Sequence, residues 1–214
     1  MTVCADSYYA RRVKAARITR ARLRAAGLGA FFRPRDLETL DIAFPDLQRL
    51  VAAGTVEKVG AGLYRLTAAE PSEFETLAMV ASAAPGGIIC LLSALRLYGI
   101  GTQAPHEVWI ALDRKARKPA RLPAKVRTVR FSGVMLSYGI ETHRILGVPV
   151  RVTSAARTVV DCFRYRSKLG LDVALEALRD AVRNRRATVD EIMRAAEVCR
   201  ARTVMKTYLE ALAP

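Results

Sequence analysis

The chain has 214 residues, 51% of them hydrophobic and 26% charged, a balance that supports a folded core and excludes collagen-like, low-complexity and intrinsically disordered readings. Lys and Arg number 35 against 20 Asp and Glu, a formal charge of +15, so a polyanionic partner is the first class of function to consider, nucleic acid foremost. No apolar run approaches the roughly 18 residues that cross a bilayer, and the opening residues carry no segment of signal-peptide type; a soluble, cytoplasmic protein without a membrane partner is expected.

A basic helical stretch runs from Tyr8 to about Ala26, after which Gly27 and Gly29 act as breakers. Pro34 then stands at a first helical position, and a short helix is expected over Arg35–Leu40. Pro45 opens the next helix. Its Leu47, Leu50 and Val51 recur at i, i+3 and i+4 as one apolar face, Asp46, Gln48, Arg49 and Ala52 fall toward solvent, and Gly54 supplies a left-handed stop. Val56–Val59 and Leu63–Leu66 are extended runs joined by Gly60-Ala61-Gly62, a three-residue loop suited to a β-hairpin. Helix, helix, helix, hairpin is winged-helix order. In that arrangement the third helix lies in the major groove and the hairpin reaches adjacent backbone, with Lys58 and Arg65 available for phosphates. Residues 1–66 hold 12 Lys and Arg against 6 Asp and Glu. Asp46, near the start of the reading helix, opposes phosphate.

Pro71 marks a boundary, which divides the chain into a winged helix-turn-helix over residues 1–68 and an α/β domain over 72–214. Ser72 and Glu75 have the spacing of a capping box ahead of a helix that ends before Pro85-Gly86-Gly87. The segment IICLLSALRLYGIG reads as buried and mostly helical, stopped at Gly99. In HEVWIAL, Val108, Ile110 and Leu112 alternate with Glu107, Trp109 and Ala111, which predicts a strand. Val126–Phe131, Ile140–Ile145 and Val148–Val152 are further strands, the last two joined by Leu146-Gly147, and a mixed sheet is expected.

From Thr153 the period becomes helical. Thr153 or Ser154 caps a helix on which Arg157 and Asp161 lie four apart, an ion pair worth about 0.3–0.5 kcal/mol if exposed. Leu171, Leu175, Leu178 and Val182 form an inward stripe, Thr188 and Glu191 make a capping box before Ile192, Ala195 and Ala196, and a last helix covers Thr203–Leu212. The fold class is therefore α+β: an N-terminal winged helix-turn-helix, then a mixed α/β domain with a C-terminal helical pack.

The densest charge run is Arg114, Lys115, Arg117, Lys118 and Arg121, extended by Lys125, Arg127 and Arg130 without an acid among them. It reads either as a second nucleic-acid surface, on DNA or RNA, or as a solvated loop between two strands. Asp113-Arg114-Lys115 matches the acid-x-Lys half of a Mg²⁺-dependent nuclease site, with Glu107 as the nearest upstream acid. Apart from His106-Glu107, neither His106 nor His143 has a neighbouring acid to orient it, and Cys4, Cys90, Cys162 and Cys199 are scattered without a Cys-x-x-Cys pair. No metal, cofactor or catalytic residue is expected. Trp109 reads as a packing residue or a stacking platform for a base or partner.

The whole pattern resembles the AbiEi family of antitoxins from type IV toxin–antitoxin systems. The matching parts are LVAAGTVEKVGAGLY at the end of the winged helix, LLSALRLYGI followed by a strand, and GVPVRVTSAARTVVD leading into the terminal helices. The resemblance implies a transcriptional autorepressor that binds inverted repeats in its own promoter. It also implies a C-terminal domain that counters a nucleotidyltransferase-like toxin without a stable complex. Carried over, the DNA-facing positions are Gln48 and Arg49 on the reading helix and Lys58 and Arg65 on the wing, with Arg35 on the preceding helix as a further candidate. LLSALRLYGIGTQAPHEVWIAL also looks like the helix-to-strand core of a nucleotidyltransferase, here without the paired aspartates. The alternatives are an RNA- or protein-interacting antitoxin whose winged helix is a scaffold, and a Mg²⁺-dependent nuclease.

Overall fold

A computed structural model describes Leu23, Gly27–Glu38, Leu40 and Ile42–Glu210. The basic helix expected over Tyr8–Ala26 lies outside these residues except for Leu23, which is helical and fully buried; Cys4 and the end of the last helix at Leu212 also lie outside. The described chain is α+β with two sheets, and it divides into two compact units. No helix among the described residues is long and apolar enough to cross a membrane.

The first unit comprises residues 1–84 with the short segments 120–123 and 144–149. Strand β1 (Phe31–Phe32) leads into α1 (Pro34–Glu38), and α2 (Phe44–Ala52) precedes the hairpin of β2 (Val56–Gly60) and β3 (Leu63–Leu66). The strands form an antiparallel sheet of order β1-β3-β2, with Phe32 opposite Tyr64 and Lys58 opposite Tyr64 on the other side. Leu23, Phe32, Leu37, Ile42, Leu47, Leu50, Val56 and Tyr64 pack as one core. α3 (Glu75–Ala83), which follows the boundary read at Pro71, belongs to this unit: Ser82 Oγ donates to the Phe31 carbonyl at 3.3 Å and the Arg33 guanidinium donates to the Ala83 carbonyl. Its start departs from the expected capping box. Phe74 is the N-cap, Ser72 Oγ accepts from Phe74 N–H, and the Glu75 carboxylate turns to Arg65 instead.

Gly29 has a steric reason beyond chain-breaking. A Cβ there would stand 2.7 Å from the Val148 side chain and 2.8 Å from its backbone nitrogen, and the next residue, Ala30, donates to the Leu146 carbonyl at 2.8 Å. Only glycine lets the two backbones approach this closely.

The second unit comprises residues 85–119, 124–143 and 150–214. Its elements are β4 (Ile88–Ile89), α4 (Leu91–Tyr98), β5 (Val108–Asp113), β6 (Val126–Phe131), a 3₁₀ turn (Gly133–Leu136), β7 (Ile140–Ile145), β8 (Val148–Thr153) and the helices α5 (Ala155–Arg164), α6 (Arg166–Leu169), α7 (Leu171–Arg183), α8 (Val189–Val198) and α9 (Arg202–Glu210). The sheet is mixed, with order β6-β5-β4-β8-β7; β5 pairs parallel with β6 and antiparallel with β4, which pairs parallel with β8. The apolar run before α4 is thus not helical throughout, since Ile88 and Ile89 form a central strand; α4 ends at Gly99 in the left-handed conformation. The β7–β8 turn carries Leu146 and Gly147 at φ 52° and 77°, the conformation of a tight two-residue hairpin.

β5 lies inside the sheet with both faces covered, so Trp109 and Ala111 are as buried as Val108, Ile110 and Leu112. Trp109 is a core residue, with the Arg127 guanidinium 4.8 Å above its ring. α5 is buried along almost its whole length. The buried face of α7 is Val173, Ala174, Ala177, Leu178 and Ala181, so of the predicted stripe Leu178 is fully buried and Leu171 is exposed. Small side chains on that face let α7 and α5 pack closely, and Leu175 and Val182 flank the contact half-buried. Ser154 caps α5, and Thr188 and Glu191 close the capping box predicted for α8.

Candidate nucleic-acid interface

α2 is held by both its ends. Ala43 is its N-cap, Phe44 and Pro45 occupy the first turn, and Asp46 sits where the helix dipole favours an acid. At the other end Gly54 N–H reaches the Val51 carbonyl, Thr55 N–H reaches the Leu50 carbonyl, and Gly54 adopts φ 67°. Thr67 Oγ1, just after β3, donates to the carbonyls of Gly54 and Thr55 at 2.9 Å and ties the hairpin to the helix. Leu47 and Leu50 are buried, so the opposite side of α2 faces solvent.

That exposed side holds Gln48 and Arg49 as expected, together with Phe44, 54% exposed, and Val51, 36% exposed. The period places Val51 inward, but the buried direction centres between Leu47 and Leu50 and leaves Val51 at its edge. The Arg49 guanidinium is paired with Asp46 Oδ1 at 2.7 Å, so the acid that opposes phosphate is neutralised locally and Arg49 is partly occupied. Gln48 and Lys58 are exposed and make no side-chain hydrogen bond or ion pair among the described residues. Arg35 is exposed, 3.8 Å from Asp36.

Arg65 stands apart from this group. Its Nε donates to Glu75 at 2.7 Å, one terminal nitrogen meets Glu57 at 3.2 Å across the hairpin, and the other donates to the Ala69 carbonyl. The side chain is only 17% exposed. A guanidinium so engaged clamps the hairpin to α3 and is not free for phosphate.

The basic run lies on the connection from β5 to β6. Arg127 and Arg130 are fixed in the fold: Arg127 pairs with Glu107 at 3.4 Å over the Trp109 ring, and Arg130 donates to the carbonyls of Asp113 and Ala116. Arg114, Lys115, Arg117, Lys118, Arg121 and Lys125 are exposed, without side-chain partners among the described residues. The nuclease pattern does not assemble. Glu107 lies just before β5 and Asp113 at its end, about 20 Å apart at the usual rise of extended chain. Asp113 accepts from Lys115 N–H, while Glu107 is occupied by Arg127.

Two polar groups differ from their reading in the sequence, one in its burial and one in its partner. Arg157 and Asp161 are fully buried, joined at 2.9 Å, with the remaining guanidinium nitrogens donating to the Tyr138 and Met135 carbonyls and the group stacked on Phe131. Asp161 Oδ1 has no hydrogen-bond partner among the described residues. Burial pushes its carboxyl up to about 6 against the pull of Arg157. Burial likewise pushes the neighbouring Cys90 and Cys162 thiols up. His143 does have an oriented acid: its Nε2 lies 3.1 Å from Glu141, two residues away on β7, and Tyr98 Oη donates to that carboxylate at 2.9 Å. The alternation of β7, which puts residues i and i+2 on one face, was the available signal for this pair.

Comparison with known proteins finds no matching family model and no matching curated protein.

Proposed function

We propose that this chain binds double-stranded DNA through its first unit and acts as a transcriptional autorepressor and antitoxin of the type IV kind. In this reading the first unit is a winged helix, with α1 the brace, α2 the helix that enters the major groove, and β2–β3 the wing. One observation carries it. α2 buries Leu47 and Leu50 and leaves its other side uncovered beside a hairpin with Lys58 exposed, in a chain of net charge +15. Gln48 and Arg49 would meet base edges, Lys58 and Arg35 phosphates. The six unpartnered cations between β5 and β6 support a second contact to nucleic-acid phosphates. The antitoxin role, with a nucleotidyltransferase-like toxin as functional counterpart, rests on the AbiEi resemblance.

A mobility-shift titration of the full chain against the DNA upstream of its own reading frame, beside an unrelated duplex of equal length, tests the DNA reading. The expected result is a preferred complex that weakens steeply between about 50 and 200 mM salt. No shift of either duplex at the lower salt would remove the proposal. The antitoxin half predicts that the adjacent reading frame encodes a protein with Gly-Ser and paired aspartates, toxic when expressed alone and tolerated with this chain.

A further inference from the structure

We infer that the exposed side of α2 is built to read A·T base pairs, meeting thymine through its C5-methyl group and adenine through the Gln48 amide; this rests on the duplex-binding reading of α2. At 3.6 residues per turn, Val51, Phe44, Gln48, Ala52 and Pro45 fall within an arc of about 120°. All five are exposed, and Gln48 is the single polar side chain among them. A large aromatic such as Phe44, 54% open to water in the first turn of the helix, gains only when a partner covers it.

Within the major groove one base presents an apolar group at its edge: thymine, through its methyl. Adenine offers the acceptor–donor pair that a glutamine amide matches bidentately, and the Gln48 amide is without a partner among the described residues. Readers of guanine are scarce on this side. Arg49, the one cation on α2, is held by Asp46 at 2.7 Å, and Asp46 itself lies about 160° round the helix from the centre of the apolar arc. Charge brings the duplex to the unit, and the uncovered arc selects bases that carry methyl groups and amide-compatible edges.

The test uses the full chain and three fluorescein-labelled duplexes roughly two helical turns long, alternating d(A-T), d(A-U) and d(G-C), with binding read by anisotropy at low salt. d(A-U) keeps every hydrogen-bonding group of d(A-T) and lacks only the methyls. d(A-T) is expected to bind most tightly, d(A-U) about fourfold more weakly for each methyl buried. Phe44→Ala and, independently, Val51→Ser should shrink the d(A-T)/d(A-U) ratio toward one. Gln48→Ala should weaken d(A-T) and d(A-U) alike, by roughly 5- to 150-fold. Thermal melting checks that the variants are folded: it should hardly move for Gln48→Ala and should fall by only a few degrees for Phe44→Ala and for Val51→Ser, whose side chains are partly exposed. Equal affinity for all three duplexes, a preference for d(G-C), or a methyl effect that survives both Phe44→Ala and Val51→Ser would overturn the inference while leaving duplex binding in place. Failure to bind any of the three would overturn the duplex reading with it.

Discussion

The protein carries two Arg–Asp pairs at helical spacing, one in each unit, and they have opposite consequences. Asp46 and Arg49 on α2 meet at 2.7 Å with side chains 39% and 62% exposed. Arg157 and Asp161 on α5 meet at 2.9 Å with no exposure at all. In water the first pair is worth about 0–1 kcal/mol and opens easily. The second has been stripped of water, and its stability depends on what replaces the solvent: the Tyr138 and Met135 carbonyls and the face of Phe131. The same spacing thus yields a surface adjustment in the first unit and a structural keystone in the second, and burial decides which.

The largest effect should come from breaking the buried pair on one side only. Asp161→Ala leaves the Arg157 charge without a counter-ion in the core and should cost about 3–5 kcal/mol, read as a lowered midpoint in urea unfolding. Arg157→Met combined with Asp161→Leu removes both charges, and it should be far less damaging than Asp161→Ala. A double variant as unstable as the single one would show that the carbonyls of Tyr138 and Met135, and not the charges, set the cost.

The same pair predicts a pH effect of defined sign. The Asp161 carboxyl is raised in the folded protein from its ordinary value to about 6, chiefly by burial. The folded state therefore binds a proton more tightly than the unfolded chain between those values. This contribution is fully present below the unfolded value, about 3.9, and is lost as pH rises through the folded one. Wild type should consequently gain stability relative to Asp161→Asn as pH falls from 7 toward 4. No gain, or a loss, would mean that Arg157 holds the carboxylate ionised throughout.

Which parts of this were legible in the sequence follows from the range of the contacts. The α+β class, the strands at 126–131 and 140–145 and the Thr188–Glu191 capping box are matters of local period and turn chemistry, and the structure has them where expected; the hairpin is there too, but Gly60 pairs with Leu63 within the ladder, so its loop is Ala61-Gly62 and not the three residues expected. Spacing located Arg157 and Asp161, yet their burial depends on residues some 20 positions earlier in the chain. Arg65 was readable as a cation on a hairpin, but its engagement depends on Glu75, which looked like a capping residue. The leucine stripe of α7 holds at Leu178, is half-buried at Leu175 and Val182 and is exposed at Leu171, because alanines allow closer helix packing than leucines and the contact turns toward Ala174, Ala177 and Ala181. At the candidate interface, Gln48 and Arg49 are legible as polar positions, whereas the exposure of Phe44 is not, because an aromatic is ordinarily assigned to the core.

Arg65 and Lys58 extend the comparison to the hairpin. Arg65→Met should lower stability by about 1–3 kcal/mol, since Glu75, Glu57 and the Ala69 carbonyl all lose a charged donor. It should leave the salt dependence of DNA binding nearly unchanged. Lys58→Ala should do the reverse, with the melting temperature steady and the slope of log affinity against log salt smaller by about one unit. If Arg65→Met instead reduces the slope, the guanidinium leaves its carboxylates when DNA arrives, and the clamp is only a resting arrangement.

The smallest effect on stability, and a sharp one on binding, belongs to the exposed pair. Asp46→Asn and Arg49→Ala should each change stability by less than about 0.5 kcal/mol, because water replaces whichever partner is lost. Their effects on the duplex should differ in sign. Removing the Asp46 charge frees Arg49 and takes a negative group from the approach to phosphate, so Asp46→Asn should tighten binding. Arg49→Ala exposes the carboxylate and should weaken it. The double variant should fall between them, and its departure from additivity measures how far Arg49 is withheld from DNA by its neighbour. Were Asp46→Asn to weaken binding, the carboxylate would have to be holding Arg49 in its productive orientation, and the two pairs would then share a positioning role despite their different burial.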